Sequence, residues 1–189
     1  MRSTVFRAVL GPVLALCLFA TASAAPAEII FLRHAEKPPS GPTLNAKGYE
    51  RANALPPLFA SDPRVLEFGK IVAIFSAAPA KAGSSVRSVE TMQPTGKVLG
   101  LTLHTAFTKD DLPQLVKAVM GDPAFDGKTV VVCWEHKKIP DILKAFGYAT
   151  GPTRWDDAVF DRLWILNFTG DKPTRFRDLP EKVLPGDST

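Results

Sequence analysis

The sequence predicts an α/β domain in three layers, a mostly parallel central sheet covered by helices on both faces. Three observations carry that prediction. Continuous apolar runs recur at Ile29–Leu32, Ile71–Phe75 and Thr129–Trp134, as expected of strands buried on both faces. Helix-forming stretches separate these runs. The 189 residues are 46% hydrophobic and 22% charged, with 13 Gly, 17 Pro and 2 Cys, which excludes disorder, collagen-like structure and a disulfide-dense mini-domain.

Each element has its own signal. Leu44 to Leu55 is rich in helix formers such as Ala46, Lys47, Glu50 and Ala52, and Pro56-Pro57 should end it. After the second run, Ser76 to Ser85 reads as a loop, with Ser84 or Ser85 capping a helix from about Arg87 to Leu99 that Pro94 can kink. Leu101–Leu103 is a short strand candidate. Leu112, Leu115, Val116 and Val119 repeat at helical spacing, with Asp110 and Asp111 at the positive end of that helix. A short helix from Pro140 to Phe146 stops at Gly147, and Leu163–Phe168 reads as the last strand. The loop Arg154–Asp161 packs its aromatics Trp155 and Phe160, and the tail after Gly170 is polar and Pro-rich.

Residues 1–24 read as a secretory signal peptide. Arg2 and Arg7 precede an apolar run from Ala8 to Ala20, and Ala22-Ser23-Ala24 offers a cleavage site. The run is too short for the ~20 residues of a spanning helix, so no stable membrane anchor is expected after cleavage and the product is periplasmic or secreted. Removing 24 of 189 residues leaves a single domain over 25–189 and, with two arginines and no acids lost, lowers the formal charge from +4 to +2. No run of five basic residues remains, so nucleic-acid binding lacks its electrostatic footprint. The one remaining cysteine, Cys133, cannot form an intramolecular disulfide.

In open parallel sheets, ligands bind beyond the carboxyl ends of the strands. Two of the three histidines fall there: His34 follows the first strand in Leu32-Arg33-His34-Ala35-Glu36-Lys37-Pro38, and His136 follows the strongest strand in Cys133-Trp134-Glu135-His136. The stretch Ile29–Pro38 resembles the signature strand and loop of the histidine phosphatase (phosphoglycerate mutase-like) superfamily. Further segments match in the same order. Leu44, Gly48 and Ala52 resemble the family's first helix; Arg87, Thr91 and Gly100-Leu101 resemble its second arginine and helix; Val130–Ile139 resembles the strand that ends in its second histidine. The resemblance covers Glu28 to about Ile142.

That resemblance implies a phosphoglycerate mutase-like fold and a phosphomonoesterase of the histidine acid phosphatase type. His34 would attack phosphorus and form a phosphohistidine. Arg33 and Arg87 would present guanidinium forks to the phosphoryl oxygens, and His136 would donate from across the pocket, cationic with phosphate bound. One branch of the superfamily carries a further arginine three residues past the nucleophile; Lys37 stands there and is the candidate auxiliary ligand. The loop before Arg87 is longer than the family usually shows. Where the family often places its general acid, just after the second histidine, this chain has Lys137. Glu135 is the nearest carboxyl group, with Asp110, Asp111 and Glu36 as alternatives; without an acid, substrates with good leaving groups would be favoured.

No cofactor or metal is expected, since the short His and Cys spacings of zinc sites do not occur, and no Gly-x-Ser-x-Gly elbow marks a serine hydrolase. The expected partner is a small phosphorylated substrate or a phosphoprotein. A mutase is disfavoured because little extra sequence is left to clasp a sugar acid. A non-catalytic phosphate- or phosphoester-binding protein on the same scaffold is the alternative function.

Overall fold

The computed structural model describes residues 25–188; the signal-peptide reading of 1–24 falls outside the described residues. Strand β1 (Glu28–Arg33) leads through a loop to helix α1 (Ala46–Ser61). Strand β2 (Ile71–Ser76), helix α2 (Arg87–Leu99), the two-residue strand β3 (Leu103–His104) and helix α3 (Leu112–Gly121) follow. Then come β4 (Thr129–Trp134), helix α4 (Ile139–Ala145), and strands β5 (Arg162–Thr169) and β6 (Lys172–Pro180).

Among the described residues these strands form one sheet in the order β3-β2-β4-β1-β5-β6. The first four positions pair in parallel, whereas β5 and β6 are antiparallel. Side-chain alternation along the strands divides the core in two. Ile29, Phe31, Val130, Val132 and Trp134 face α3 and α4, through Leu115, Val119, Ile142 and Leu143. Ile30, Leu32, Val131 and Cys133 face α1 and α2, through Leu55, Leu58, Phe59 and Met92. The three-layer prediction stands, and every residue of β1 and β4 is buried.

Register positions the functional edge. Arg33 is opposite Trp134 and Ser76 is opposite Cys133. The His34 N–H donates to the Trp134 carbonyl at 3.2 Å, and the Ala77 N–H donates to that of Cys133 at 3.1 Å. The loops after β1, β2 and β4 therefore leave the sheet at one level, side by side.

Two boundaries differ from the sequence reading. Helix α1 continues through Pro56 and Pro57 to Ser61, because Leu55, Leu58 and Phe59 are drawn onto the sheet and tertiary burial outweighs the lost helical hydrogen bonds. The tail after Gly170 forms β6, an antiparallel partner of β5. Its mixed burial leaves little periodic pattern in the sequence. Helix α2 runs unbroken past Pro94, and Ser85 Oγ reaches its first N–H only loosely, at 3.4 Å. No helix among the described residues is long and apolar enough to cross a membrane.

Candidate active site

His34 is 4% exposed at the end of β1. Its Nδ1 lies 2.8 Å from the Ala35 carbonyl oxygen. A carbonyl only accepts, so the ring proton sits on Nδ1 and Nε2 keeps its lone pair. Burial, and then the positive charges of Arg33 and Arg87, push the ring pKa down to about 4, against the pull of the Ala35 hydrogen bond. The loop is pinned from beneath: the Ala35 N–H donates to Thr91 Oγ1 at 2.9 Å, and that hydroxyl donates back to the Arg87 carbonyl at 2.7 Å. Thr91 thus ties the His34 loop to the first turn of α2.

His136 follows β4 by two residues. A turn closed by the Lys138 N–H on the Glu135 carbonyl, at 2.9 Å, swings both Glu135 and His136 toward the His34 side. The two imidazoles sit edge to face, 6.4 Å between centroids. Arg33 Nη2 donates to His136 Nδ1 at 3.2 Å, so His136 carries its proton on Nε2 and donates it to Asp157 Oδ1 at 2.7 Å. Burial and Arg33 lower the His136 pKa, with Asp157 acting in the other direction. Both ring nitrogens are therefore engaged.

Arg33 is 1% exposed and lies over the Phe160 ring, its guanidinium carbon 3.7 Å from the centroid. Its Nη1 is surrounded by the carbonyls of Asp156, Asp157 and Val159, at 3.2, 3.0 and 2.8 Å. The sequence reading aimed both fork nitrogens at phosphate. The structure instead commits Nη1 and Nη2 to the 156–159 loop and to His136, because backbone acceptors close by satisfy a guanidinium taken out of water. Nε is buried with no hydrogen-bond partner. Burial lowers the Arg33 pKa to about 10, so the side chain stays cationic.

A cavity of about 390 Å³ opens in front of these groups, lined by His34, Lys37, Arg87, Glu135 and His136 together with Lys109 and Lys137. Arg87 is half-buried at the start of α2, its Nε donating to the Thr43 carbonyl at 3.1 Å and its Nη2 to that of Gly41. Of the candidate acids, only Glu135 lines the cavity. Glu36 is buried against Arg51, which holds both its oxygens. Asp110 pairs with Lys138 at 2.6 Å and Lys109 at 3.0 Å, and Asp111 accepts from the Thr108 N–H and hydroxyl. The third histidine, His104, stacks on Phe75 at 4.5 Å and packs at the sheet edge. Among the described residues no cluster of three or more His, Cys, Asp or Glu is placed to hold a metal.

No protein-family model and no curated protein matches the chain. Solved structures do. The protein histidine phosphatase SixA complexed with tungstate superposes with a TM-score of 0.54 at 12% identity, covering 82% of this chain and 97% of that one. A phosphoglycerate mutase from Bacillus anthracis gives 0.53 at 13% identity, over 81% and 92% of the two chains. The chain has the histidine phosphatase fold. A mycobacterial glucosyl-3-phosphoglycerate phosphatase, at 0.51 and 14% identity over 82% and 97%, shares it.

On this histidine phosphatase fold, the structure brings His34, His136, Arg87, Lys37 and Glu135 to one cavity, with Arg33 directly behind His136. Sequence reasoning missed the part played by the loop Arg154–Asp161. Its aromatics do pack, Trp155 against Trp164 at 4.4 Å. The same loop also supplies the carbonyls that hold Arg33 and the carboxylate that holds His136. Asp157 could be suspected only from its place among three acids; backbone acceptors leave no trace in side-chain identity.

Proposed function

We propose that this protein is a metal-independent phosphohydrolase that works through a phosphohistidine on His34, a phosphomonoesterase of the histidine acid phosphatase type. One observation carries the reading: a neutral imidazole, its proton held on Nδ1 by the Ala35 carbonyl, lines a cavity whose other charged groups are mostly cationic. In the first step the Nε2 lone pair forms a bond to phosphorus as the bond to the leaving oxygen breaks. Glu135, in its protonated form, gives its proton to that oxygen. In the second step Glu135 takes a proton from water as the water oxygen attacks phosphorus and the N–P bond breaks, which restores His34 and releases phosphate.

Arg87 and Lys37 offer charge to the phosphoryl oxygens, and Lys37, without a fork, grips them less specifically. Arg33 contributes its cationic field from behind His136. His136 faces the nucleophile as a neutral ring, its Nδ1 accepting from Arg33 and its Nε2–H donating to Asp157, rather than as the cationic donor the sequence reading expected. SixA, one of the structural neighbours, is a protein histidine phosphatase whose complex holds tungstate, an oxyanion; the proposed substrate here is likewise a phosphoester or a phosphohistidine.

The decisive experiment is mass spectrometry of the protein quenched without acid after exposure to an aryl phosphate in the presence of chelator. His34 is expected to carry the phosphoryl group, and His34→Ala to lose both label and turnover while keeping its fold. A non-catalytic binding protein would bind phosphate and stay unlabelled. Export belongs to the same proposal: the basic start, short apolar run and Ala-Ser-Ala segment of residues 1–24 support it. Protein recovered from the periplasm or medium should begin at Ala25.

A further inference from the structure

Asp187 and Ser188 are neighbours in the chain, and each holds one of two loops that build the site. Asp187 Oδ1 accepts from Arg51 Nη2 at 2.8 Å, and its Oδ2 accepts from Nη1 at 3.0 Å. The Nε edge of the same guanidinium holds both oxygens of Glu36, at 2.9 to 3.2 Å. Glu36 stands in the chain between His34 and Lys37, which both line the cavity. Ser188 reaches the second loop. Its Oγ donates to Asp161 Oδ2 at 2.6 Å, and its N–H donates to the same oxygen. The Glu181 N–H donates to the Asp161 carbonyl at 2.8 Å, so backbone and side chain are both held. Asp161 directly follows Phe160, whose ring supports the Arg33 guanidinium and lies 6.4 Å from the His34 ring. The same loop supplies the carbonyls on Arg33 and the Asp157 carboxylate on His136.

The segment that bridges the two loops is itself braced. The Val183 and Leu184 N–H groups donate to Asp187 Oδ2 at 2.9 and 3.0 Å, closing a turn. Arg64 donates to the carbonyls of Pro180 and Glu181 at 3.0 and 3.3 Å. Burial raises the pKa of both acids, but Arg51 on Asp187 and Ser188 on Asp161 bring each below the usual carboxylate value, so both are ionised. Charge-assisted bonds of this kind are strong and directional. Buried ion pairs add little net stability over apolar packing of the same volume; what they supply here is fixed geometry on both sides of the nucleophile. We infer that Asp187 and Ser188 are positioning residues, which together lock the His34 loop and the 156–161 loop in register and so hold His34 against Arg33 and His136. The inference rests on the phosphohydrolase reading for its effect on rate, and on geometry alone for its effect on the two rings.

NMR of the imidazoles and kinetics on the same variants test it. Asp187→Ala frees Arg51 and with it Glu36, so water reaches His34 and the ring midpoint should rise from about 4 toward 6.5. If that variant does not fold, Asp187→Asn, which keeps one oxygen for Arg51, should show the same rise in smaller measure. Asp161→Ala and the milder Ser188→Ala loosen the second loop. In both, the His136 Nε2–H signal, held by Asp157 at 2.7 Å, should broaden through exchange with water. Ser188→Thr keeps the hydroxyl and should restore the parent signal. Well below each melting temperature, kcat for an aryl phosphate should fall about tenfold in Asp187→Ala and Asp161→Ala, within the ~10²-fold that a misplacement of about 1 Å costs, with KM changing less. A merely structural role would lower the melting temperature and leave both ring signals and kcat at parent values, and that result overturns the inference. A parent protein that turns over no ester, with the ring signals still responding as described, would remove the phosphohydrolase reading and leave the positioning role standing.

Discussion

The Nδ1 nitrogen of His34 donates to the carbonyl of its own neighbour, Ala35, across 2.8 Å. This short local bond sets the tautomer, while burial and the nearby arginines set the charge, with the ring pKa near 4. An NMR titration of the imidazole should therefore show a proton on Nδ1 and a midpoint near 4; a midpoint at 6.5 would mean that the ring sees water and no pre-set nucleophile. The same shift acts on stability. Below pH 6.5 the unfolded ring takes a proton that the folded ring refuses until about 4, so His34 makes the fold less stable as pH falls through that window. His34→Gln should remove this contribution and melt with a flatter pH profile between 4 and 6.5.

Glu135 is the only candidate acid at the cavity wall. A general acid matters in proportion to how badly the leaving group needs a proton. Glu135→Gln should lower the rate of phosphohistidine formation from an alkyl phosphate by about 10²-fold, the lower range for general acid catalysis. With a dinitrophenyl ester, whose leaving group departs as a stable anion, the loss should be small. Pre-steady-state labelling of His34 separates these cases, and equal losses for both esters would remove Glu135 from the role.

The parts of the site that were legible in the sequence are those written in side chains next to strong local patterns. β1 and β4 are buried along their whole length, so they appear as unbroken apolar runs, and the histidines that follow them inherit their position from the sheet. Thr91 and Gly48 were visible only through the resemblance, and the structure supplies their physical reasons. The hold on Arg33 was not legible, because it consists of backbone carbonyls 123 to 126 residues away. Nor was the Arg51 cluster, since Glu181 and Asp187 lie 130 and 136 residues along the chain, beyond a strand with no clean alternation.

Gly48 shows how closely α1 approaches the loop that follows β1 and carries His34. A Cβ on this residue would lie 2.2 Å from the Glu36 carbonyl oxygen, and backbone is on both sides of the contact. No side chain can swing away to relieve it. Gly48→Ala should destabilise the protein by about 1–3 kcal/mol, as overpacking does. Because Glu36 is two residues from His34, kcat should fall as well. Denaturant unfolding together with phosphatase kinetics checks both, and a variant with wild-type values in each would mean the loop is not anchored by this contact.

Arg51 is buried beneath that loop with three carboxylates on one guanidinium: Glu36 and Glu181 at 2.9 Å, and Asp187 at 2.8 Å. Arg51→Met would leave Glu181 and Asp187 without an ion-pair partner and Glu36 with only the exposed Lys47, at 3.6 Å, a loss of about 3–5 kcal/mol. Lys47 also reaches Glu36, but among the described residues only Arg51 pairs with the fully buried Glu181: burial foremost pushes its pKa up to about 8, although Arg51 pulls it down. The folded chain therefore keeps this proton until about pH 8, whereas the unfolded chain releases it near 4.5. Glu181 accordingly makes the fold less stable as pH rises through that window, opposite in sign to His34. Glu181→Gln keeps a carbonyl oxygen for Arg51 and cannot ionise. Its melting temperature relative to the parent should climb steadily from pH 4.5 to 8 and level off beyond; a difference independent of pH would show that Glu181 is ionised throughout and that Arg51 balances all three acids.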